Sequence, residues 1–218
     1  MSESAPKSAE ETAQARMLDA ATRMQQQYVR CLEKVSRTLD DLTVNLLRTS
    51  CAQNGCPLPA TFFSCEPCQR GPEELPQEPG FTVDEQGQAR IVFCQEQVEQ
   101  QKQKDVLIDM RRGLTKSFDH CRGDIDWTDP EHCACAEIRS NMFSGECNYY
   151  RLAFRFEQFR TEPRGFQRCL REVAARNLQE RGVVTSESAA KQAIELVFDS
   201  CFNDQSPFDT LRHTYEVF

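Results

Sequence analysis

Apolar side chains recur at steps of three and four from Met17 through Ala21, Met24, Tyr28, Leu32, Val35, Leu39, Leu42 and Leu46. That spacing lays them along one face of a helix of about eight turns. The positions between them are mainly Gln, Arg, Asp and Glu. Ser36 or Thr38, ahead of Asp40-Asp41, predicts a break into two helices. Residues 30–50 read as amphipathic helix packed on its own domain. Residues 12–30 read equally as such a helix or as a coiled-coil arm for a partner.

Further along, Gly and Pro crowd into 51–60 and 69–80, leaving the short apolar run Thr61-Phe62-Phe63 between two loops. Phe81-Thr82-Val83 and Ala89-Arg90-Ile91-Val92-Phe93 flank Asp84-Glu85-Gln86-Gly87-Gln88, the pattern of a β-hairpin with a Gly-containing loop. A polar helix in two parts follows. The second part begins near Asp105 and carries Val106, Leu107, Met110, Leu114 and Phe118 on one face. Helices are predicted over about 130–143, 145–160, 164–180 and 187–202, punctuated by Gly145, Pro163-Arg164-Gly165 and Gly182. The expected organisation is a mobile tail at 1–10, an N-terminal helical arm at 11–50 and a main domain at 51–218. The expected class is α+β, predominantly α, with a small hairpin or three-stranded sheet.

Length and composition narrow the function. A chain of 218 residues supports one domain or two small ones. Lys and Arg number 26 against 34 Asp and Glu, a formal charge of −8 without a basic block. That argues against a phosphate-tracking nucleic-acid binder and against a polybasic membrane anchor. No apolar run approaches the roughly 20 residues that span a bilayer.

Twelve cysteines change the picture. An even, dispersed set reads as disulfides or as structural metal sites. Only Cys65 and Cys68 have C-x₂-C spacing, with no second such pair after them, which favours disulfides and an oxidising compartment. Yet the stretch Met1 to Glu11 has neither the apolar core of a secretory signal nor the arginines of a matrix presequence. The mitochondrial intermembrane space reconciles the two. A mature secreted fragment is the alternative that Met1 disfavours.

Candidate chemistry is sparse. The histidines are His120, His132 and His213. Cys121 with His132 could form a nucleophile–base pair, but a cysteine among eleven others in an oxidising space reads as bridged. There is no Gly-rich phosphate loop and no G-x-S-x-G. Asp124, Asp126, Asp129 and Glu131 read as a solvated acidic turn.

An ordered series of short motifs carries more information. It runs Phe63-Ser-Cys65-Glu-Pro-Cys68, then Gly80-Phe81 through Ile91-Val92-Phe93-Cys94-Gln95, then Phe118-Asp119-His120-Cys121-Arg122 and Asp126-Trp127. Ala134-Cys135-Ala136-Glu137-Ile138-Arg139, Ser144-Gly145-Glu146-Cys147, Gln167-Arg168-Cys169-Leu170-Arg171 and Val197 to Asp204 with Pro207-Phe208 complete it. The series resembles the mitochondrial intermembrane-space metalloproteases that process the ATP synthase a-subunit precursor and help it assemble. The resemblance covers about 50–210. It implies a reduced zincin-like core stapled by disulfides.

That family carries an H-E-x-x-H helix just before the Phe-Asp pair. His at i and i+4 clasp one zinc, and the Glu between them activates its water. Counting back from Phe118-Asp119 places Arg112 and Lys116 at the histidine positions and Gly113 at the glutamate. Arg and Lys offer zinc no lone pair while protonated. The expectation is therefore a non-enzymatic, degenerate homologue without cofactor or metal. A residual zinc site from His120, Asp119, Glu137 or His132 is the weaker reading. In place of the metal, Arg112 and Lys116 are expected to pair with Glu137 or Asp119 and hold the same helices in register. Such a chain would be an accessory subunit or assembly factor of an inner-membrane complex, ATP synthase favoured, peripheral to the membrane through its partners. The alternative is an active zinc metallopeptidase with a rearranged site. The resemblance gives Cys31, Cys56, Cys65, Cys68, Cys94, Cys121, Cys135, Cys147, Cys169 and Cys201 family counterparts. Cys51 and Cys133 look like additions and are expected to form an extra bridge, with each other or by re-pairing.

Overall fold

The long N-terminal stripe folds as α1 (Ala9–Thr38), and the chain breaks at Asp41, which starts α2 (Leu42–Gln53). Asp41 caps α2 because its carboxylate accepts from the Val44 N–H at 3.1 Å, satisfying a donor the helix cannot. A computed structural model describes residues 9–68, 80–84, 87–147 and 165–208. Residues 1–8 of the tail expected at 1–10, and all but the start of the helix expected over 145–160, lie outside the described residues, while Ala9 and Glu10 already belong to α1.

Three short strands follow: β1 (Phe63–Glu66), β2 (Gly80–Val83) and β3 (Ala89–Cys94), in the order β1-β3-β2. β2 and β3 make the antiparallel hairpin, with Phe81 opposite Ile91. β1 adds in parallel, with Cys65 opposite Phe93. Then come α3 (Gln95–Gln100), α4 (Gln103–Arg122), α5 (Pro130–Ser144), α6 (Gly165–Glu180) and α7 (Glu187–Asn203). The class is α+β and mainly α.

Two apolar clusters hold these elements. One gathers Val44 and Leu47 of α2, Ile91 and Phe93 of β3, and Met110, Leu114 and Phe118 of α4. The other gathers Ile138 of α5, Leu170 and Leu178 of α6, and Ile194 and Phe198 of α7. Trp127 packs against both. α5 is buried nearly all round, between α4 on one side and α6 and α7 on the other. Asp129 caps it, accepting from the Glu131 and His132 N–H groups, with Pro130 pre-setting the first turn. Gly145 ends it at φ 86°, a backbone conformation in which a side chain would be strained.

α1 divides in its burial. Cys31 and Val35 join the first cluster, whereas Met17, Leu18 and Met24 are exposed. The packed half is fastened to α3. Lys34 donates to the carbonyls of Val98, Glu99 and Gln101 at 2.7, 3.1 and 2.6 Å, supplying a cation where the α3 carbonyls run out of partners. Gln27 and Arg30 both bond the Glu99 carboxylate.

Five disulfides staple the fold: Cys31–Cys65, Cys56–Cys121, Cys68–Cys94, Cys135–Cys201 and Cys147–Cys169. Cys65 and Cys68 therefore tie β1 to α1 and the chain after β1 to β3. The bridge expected from Cys51 and Cys133 does not form, and this corrects the sequence reading. Each is a buried free thiol, Cys51 in the first cluster and Cys133 in the second. Burial, and then the Asp119 charge, push the Cys51 thiol up to about 11, and burial also raises Cys133. Neither is a thiolate at neutral pH, so neither is nucleophilic. Maleimide labelling under non-reducing conditions is therefore expected to add nothing to the native chain. In denaturant it adds two labels per chain, by intact mass.

Candidate functional site

α4 and α5 meet along the face that carries Arg112, Gly113 and Lys116. Gly113 lies directly over β3. A Cβ built there would stand 2.7 Å from Ile91 Cδ1 and 3.0 Å from its Cγ1. Cγ2 of Ile91 would also lie at 3.2 Å, so turning the Cδ1 methyl aside does not relieve the crowding. Glycine is thus what lets α4 sit this close to the sheet. Gly113→Ala is expected to destabilise the fold by about 1 kcal/mol, because overpacking outweighs the better helix propensity. In an Ile91→Val background, chemical denaturation should show most of that penalty gone.

Opposite Gly113's neighbours stands Glu137 of α5, with no exposed surface. Lys116 Nζ lies 2.5 Å from its Oε1 and Arg112 Nη2 lies 3.6 Å from its Oε2. Two partners come from α6 and the turn after it: Asn177 donates to Oε2 at 2.8 Å, and Arg181 Nη1 stands 3.3 Å from Oε1. Burial would push this carboxyl up, but Lys116, Arg112 and Arg181 together outweigh it and hold Glu137 at about 2. Burial lowers Lys116 to about 8: Glu137 opposes that, while Arg181 and Arg112 add to it. The cluster ties α4, α5 and α6 at one point.

Asp119 belongs elsewhere, which corrects the second half of the expected pairing. It lies about one helical turn beyond Lys116 on the same helix, and its partners are other arginines. It accepts Arg139 Nε at 3.0 Å and Arg122 Nη2 at 3.1 Å. Burial pushes its carboxyl up against the pull of Arg139 and Arg122. Arg139 is 1% exposed, and it also reaches Asp204 Oδ1 at 2.9 Å and the Ser206 carbonyl at 2.5 Å. This second network clamps the end of α7 onto α4 and α5. No hydrophobic pattern could have announced Arg139 or Asn177, because polar residues read as surface positions.

The candidates for a residual metal site are not brought together. His120 Nδ1 accepts from Trp127 Nε1 at 3.3 Å, and its ring packs 5.9 Å from Phe81. His132 Nδ1 accepts from the Asp126 N–H at 3.1 Å, within the turn before α5. Asp126 itself folds that turn, accepting from the Thr128 N–H and hydroxyl at 2.8 and 2.6 Å. Glu137 is taken up by cations and Asp119 by Arg139. Among the described residues no group of three His, Cys, Asp or Glu is placed to hold a metal ion. The donors at the α4–α5 face do not fit zinc, because Arg112 and Lys116 are cations.

Above the cluster opens a cavity of about 370 Å³. Phe81, Ile91 and Val98 give it an apolar wall, and Arg112, Lys116 and Arg181 stand at its floor around Glu137. β2 borders it from the outer edge of the sheet. Asp109 also lines it. Its carboxylate accepts Gln101 Nε2 at 2.8 Å, and burial pushes it up.

Comparison with known proteins gives this geometry a context. The model of the Peptidase M76 family matches residues 29–209. A protein named mitochondrial inner membrane protease ATP23 homolog, from Xenopus laevis, is 34% identical over 78% of this chain and 67% of its own length. The human protein of that name is 32% identical over 84% of this chain and 71% of its own. The Schizosaccharomyces pombe mitochondrial inner membrane protease atp23 is 30% identical over 82% of this chain and 91% of its own. No solved structure matches. These relatives overturn the expectation that the chain is not an enzyme: proteins this similar over most of its length are named as proteases, and that points to an enzyme. Their names fit a peripheral location at the mitochondrial inner membrane, and the five disulfides fit an oxidising compartment there. No helix among the described residues is long and apolar enough to cross a membrane.

Proposed function

Because this chain belongs to the Peptidase M76 family, we propose that it handles a polypeptide client, a subunit of an inner-membrane complex, and acts in that complex's assembly. ATP synthase is the favoured complex. The observation that carries the reading is the cavity bordered by the edge strand β2. An edge strand offers main-chain donors and acceptors to an extended peptide, and an adjoining pocket takes its side chains. Phe81 serves both features, as a β2 residue and as part of the apolar wall. The relatives' names set peptide-bond hydrolysis as the reaction to assay on the same client.

A photo-crosslinking residue at Gln97, which lines the cavity, tests this in intact mitochondria. Adducts are expected with unassembled ATP synthase subunits, at less than one per chain. A matched probe at Leu196, 64% exposed on α7, should not give them. Identical adducts from both positions, or none with any inner-membrane subunit, would defeat the reading. A constant one-to-one yield with the mature complex would make the chain a resident subunit instead.

A further inference from the structure

We propose that the cavity above Glu137 is a binding site for the C-terminal carboxylate of a peptide whose last side chain is apolar. The inference rests on the polypeptide-client reading and deepens it by naming the group that is recognised.

The first ground is charge. Arg112, Lys116 and Arg181 converge on the single carboxylate of Glu137, so at the floor three cations face one anion. The other acidic residues on the cavity wall are Asp109 and Glu180. Burial pushes the Asp109 carboxyl up, toward its neutral form, against the Gln101 amide and the charge of Arg112, and Glu180 is exposed at the end of α6. An incoming anion would meet cations whose desolvation is already paid at the floor of a pocket, where charge-assisted hydrogen bonds are strong.

The second ground is independent of charge. Arg112 Nε is buried and has no hydrogen-bond partner. Gln101 Oε1, on the same cavity, is likewise buried and without one. Unmade hydrogen bonds at buried polar atoms are costly, and native structures retain few of them. The two orphans have opposite sense, one donor and one acceptor. A peptide terminus brings both complements within a single residue: a carboxylate to accept and an amide N–H to donate. Inorganic phosphate has no amide N–H and no apolar side chain to set beside its anionic oxygens.

The third ground is shape. The apolar wall of Phe81, Ile91 and Val98 lies beside the cationic floor. An apolar side chain on the terminal residue would cover that wall while its carboxylate reached the floor.

The test uses the full-length oxidised protein and acetyl-Ala-Ala-Leu as the free acid or the C-terminal amide. Binding is followed by calorimetry and by the fluorescence of Trp127, the chain's one tryptophan, whose ring packs 5.0 Å from Phe81. The free acid is expected to bind at least about tenfold more tightly than the amide. Arg112→Gln and Arg181→Gln should each weaken the acid by about tenfold and leave the amide unchanged. Both arginines are partly exposed, so the variants are expected to fold, which thermal melts verify. Equal binding of acid and amide would overturn the carboxylate site while leaving a polypeptide client standing. Displacement of the acid by inorganic phosphate at matched concentration would show a general anion site and overturn the peptide assignment. No binding of either peptide would also overturn it, and the crosslinking result would then decide the client reading separately.

Discussion

Glu137→Ala is expected to lower the free energy of unfolding by about 3–5 kcal/mol, the largest effect of any single substitution at the site. Glu137 has no exposure and Lys116 has little, so truncating the carboxylate leaves a buried ammonium facing two guanidinium groups. Lys116 is only 7% exposed, too little for water to make up for the lost carboxylate, so the lysine is driven to lose its proton or to open the α4–α5 contact. For a chain of this size the melting temperature should drop by about 10 °C or more. Lys116→Met combined with Glu137→Leu should cost less than Glu137→Ala alone, because it removes both buried charges, and Arg112 and Arg181 can turn toward solvent. A double-mutant cycle by denaturant titration measures this. If the pair of changes costs as much as the truncation, packing rather than charge governs the site.

The same carboxylate sets an acid limit. Its folded value of about 2 lies below its ordinary 4.5, so folding favours the ionised form. That contribution is complete above about pH 5 and is lost as pH falls toward 2, for a total of roughly 3 kcal/mol. The stability gap between the native protein and Glu137→Gln should therefore narrow steadily over that range. Lys116 acts in the opposite sense. Its folded value of about 8 lies below 10.5, so an ammonium buried in the folded state is a cost that lifts as pH rises from 8 toward 10.5.

Reduction of the disulfides is the second large effect. Cys56–Cys121 and Cys135–Cys201 span 65 and 66 residues. Opening either frees a long loop in the unfolded chain, and each bridge contributes about 3–4 kcal/mol on that account. Together they approach the total stability of an ordinary domain. Full reduction is expected to abolish cooperative unfolding by circular dichroism. The Cys135→Ser/Cys201→Ser variant should keep the fold with a lower denaturation midpoint. That bridge joins α5 to α7, whereas the α4–α5 cluster is held separately by Lys116 and Glu137. If the reduced chain melted like the oxidised one, the bridges would be incidental to the fold.

Much of this architecture was legible in the order of residues. The stripe from Met17 to Leu46, the hairpin about Gly87 and the helices on either side of Gly182 follow from period and punctuation, because both act over a few residues. β1 was less legible. Its four residues are too few to show alternation, and its partner β3 lies more than twenty residues away in sequence. Arg112, Gly113 and Lys116 could be singled out only through the family resemblance, by counting back from Phe118-Asp119, and pairing with a carboxylate could be anticipated from it. Which carboxylate could not be: Glu137 and Asp119 are equally acidic in sequence, and only the angle between α4 and α5 separates them. Asn177 and Arg181 entered the cluster unannounced, because α6 is brought to α5 by Leu170, Leu178 and their apolar partners rather than by any feature of its own polar residues.

The cysteines divide along the same line. Their number and dispersion determined an oxidised, disulfide-bonded protein, since that inference needs only composition and compartment. Their pairing was decided by distance in the folded chain. Ten meet in five pairs. Cys51 and Cys133 do not, because they are buried in two separate apolar clusters. Local periodicity and composition are properties of neighbouring residues and survive in the sequence. Which buried charge faces which, and which thiol stays free, depend on how distant helices pack, and only the tertiary structure decides that.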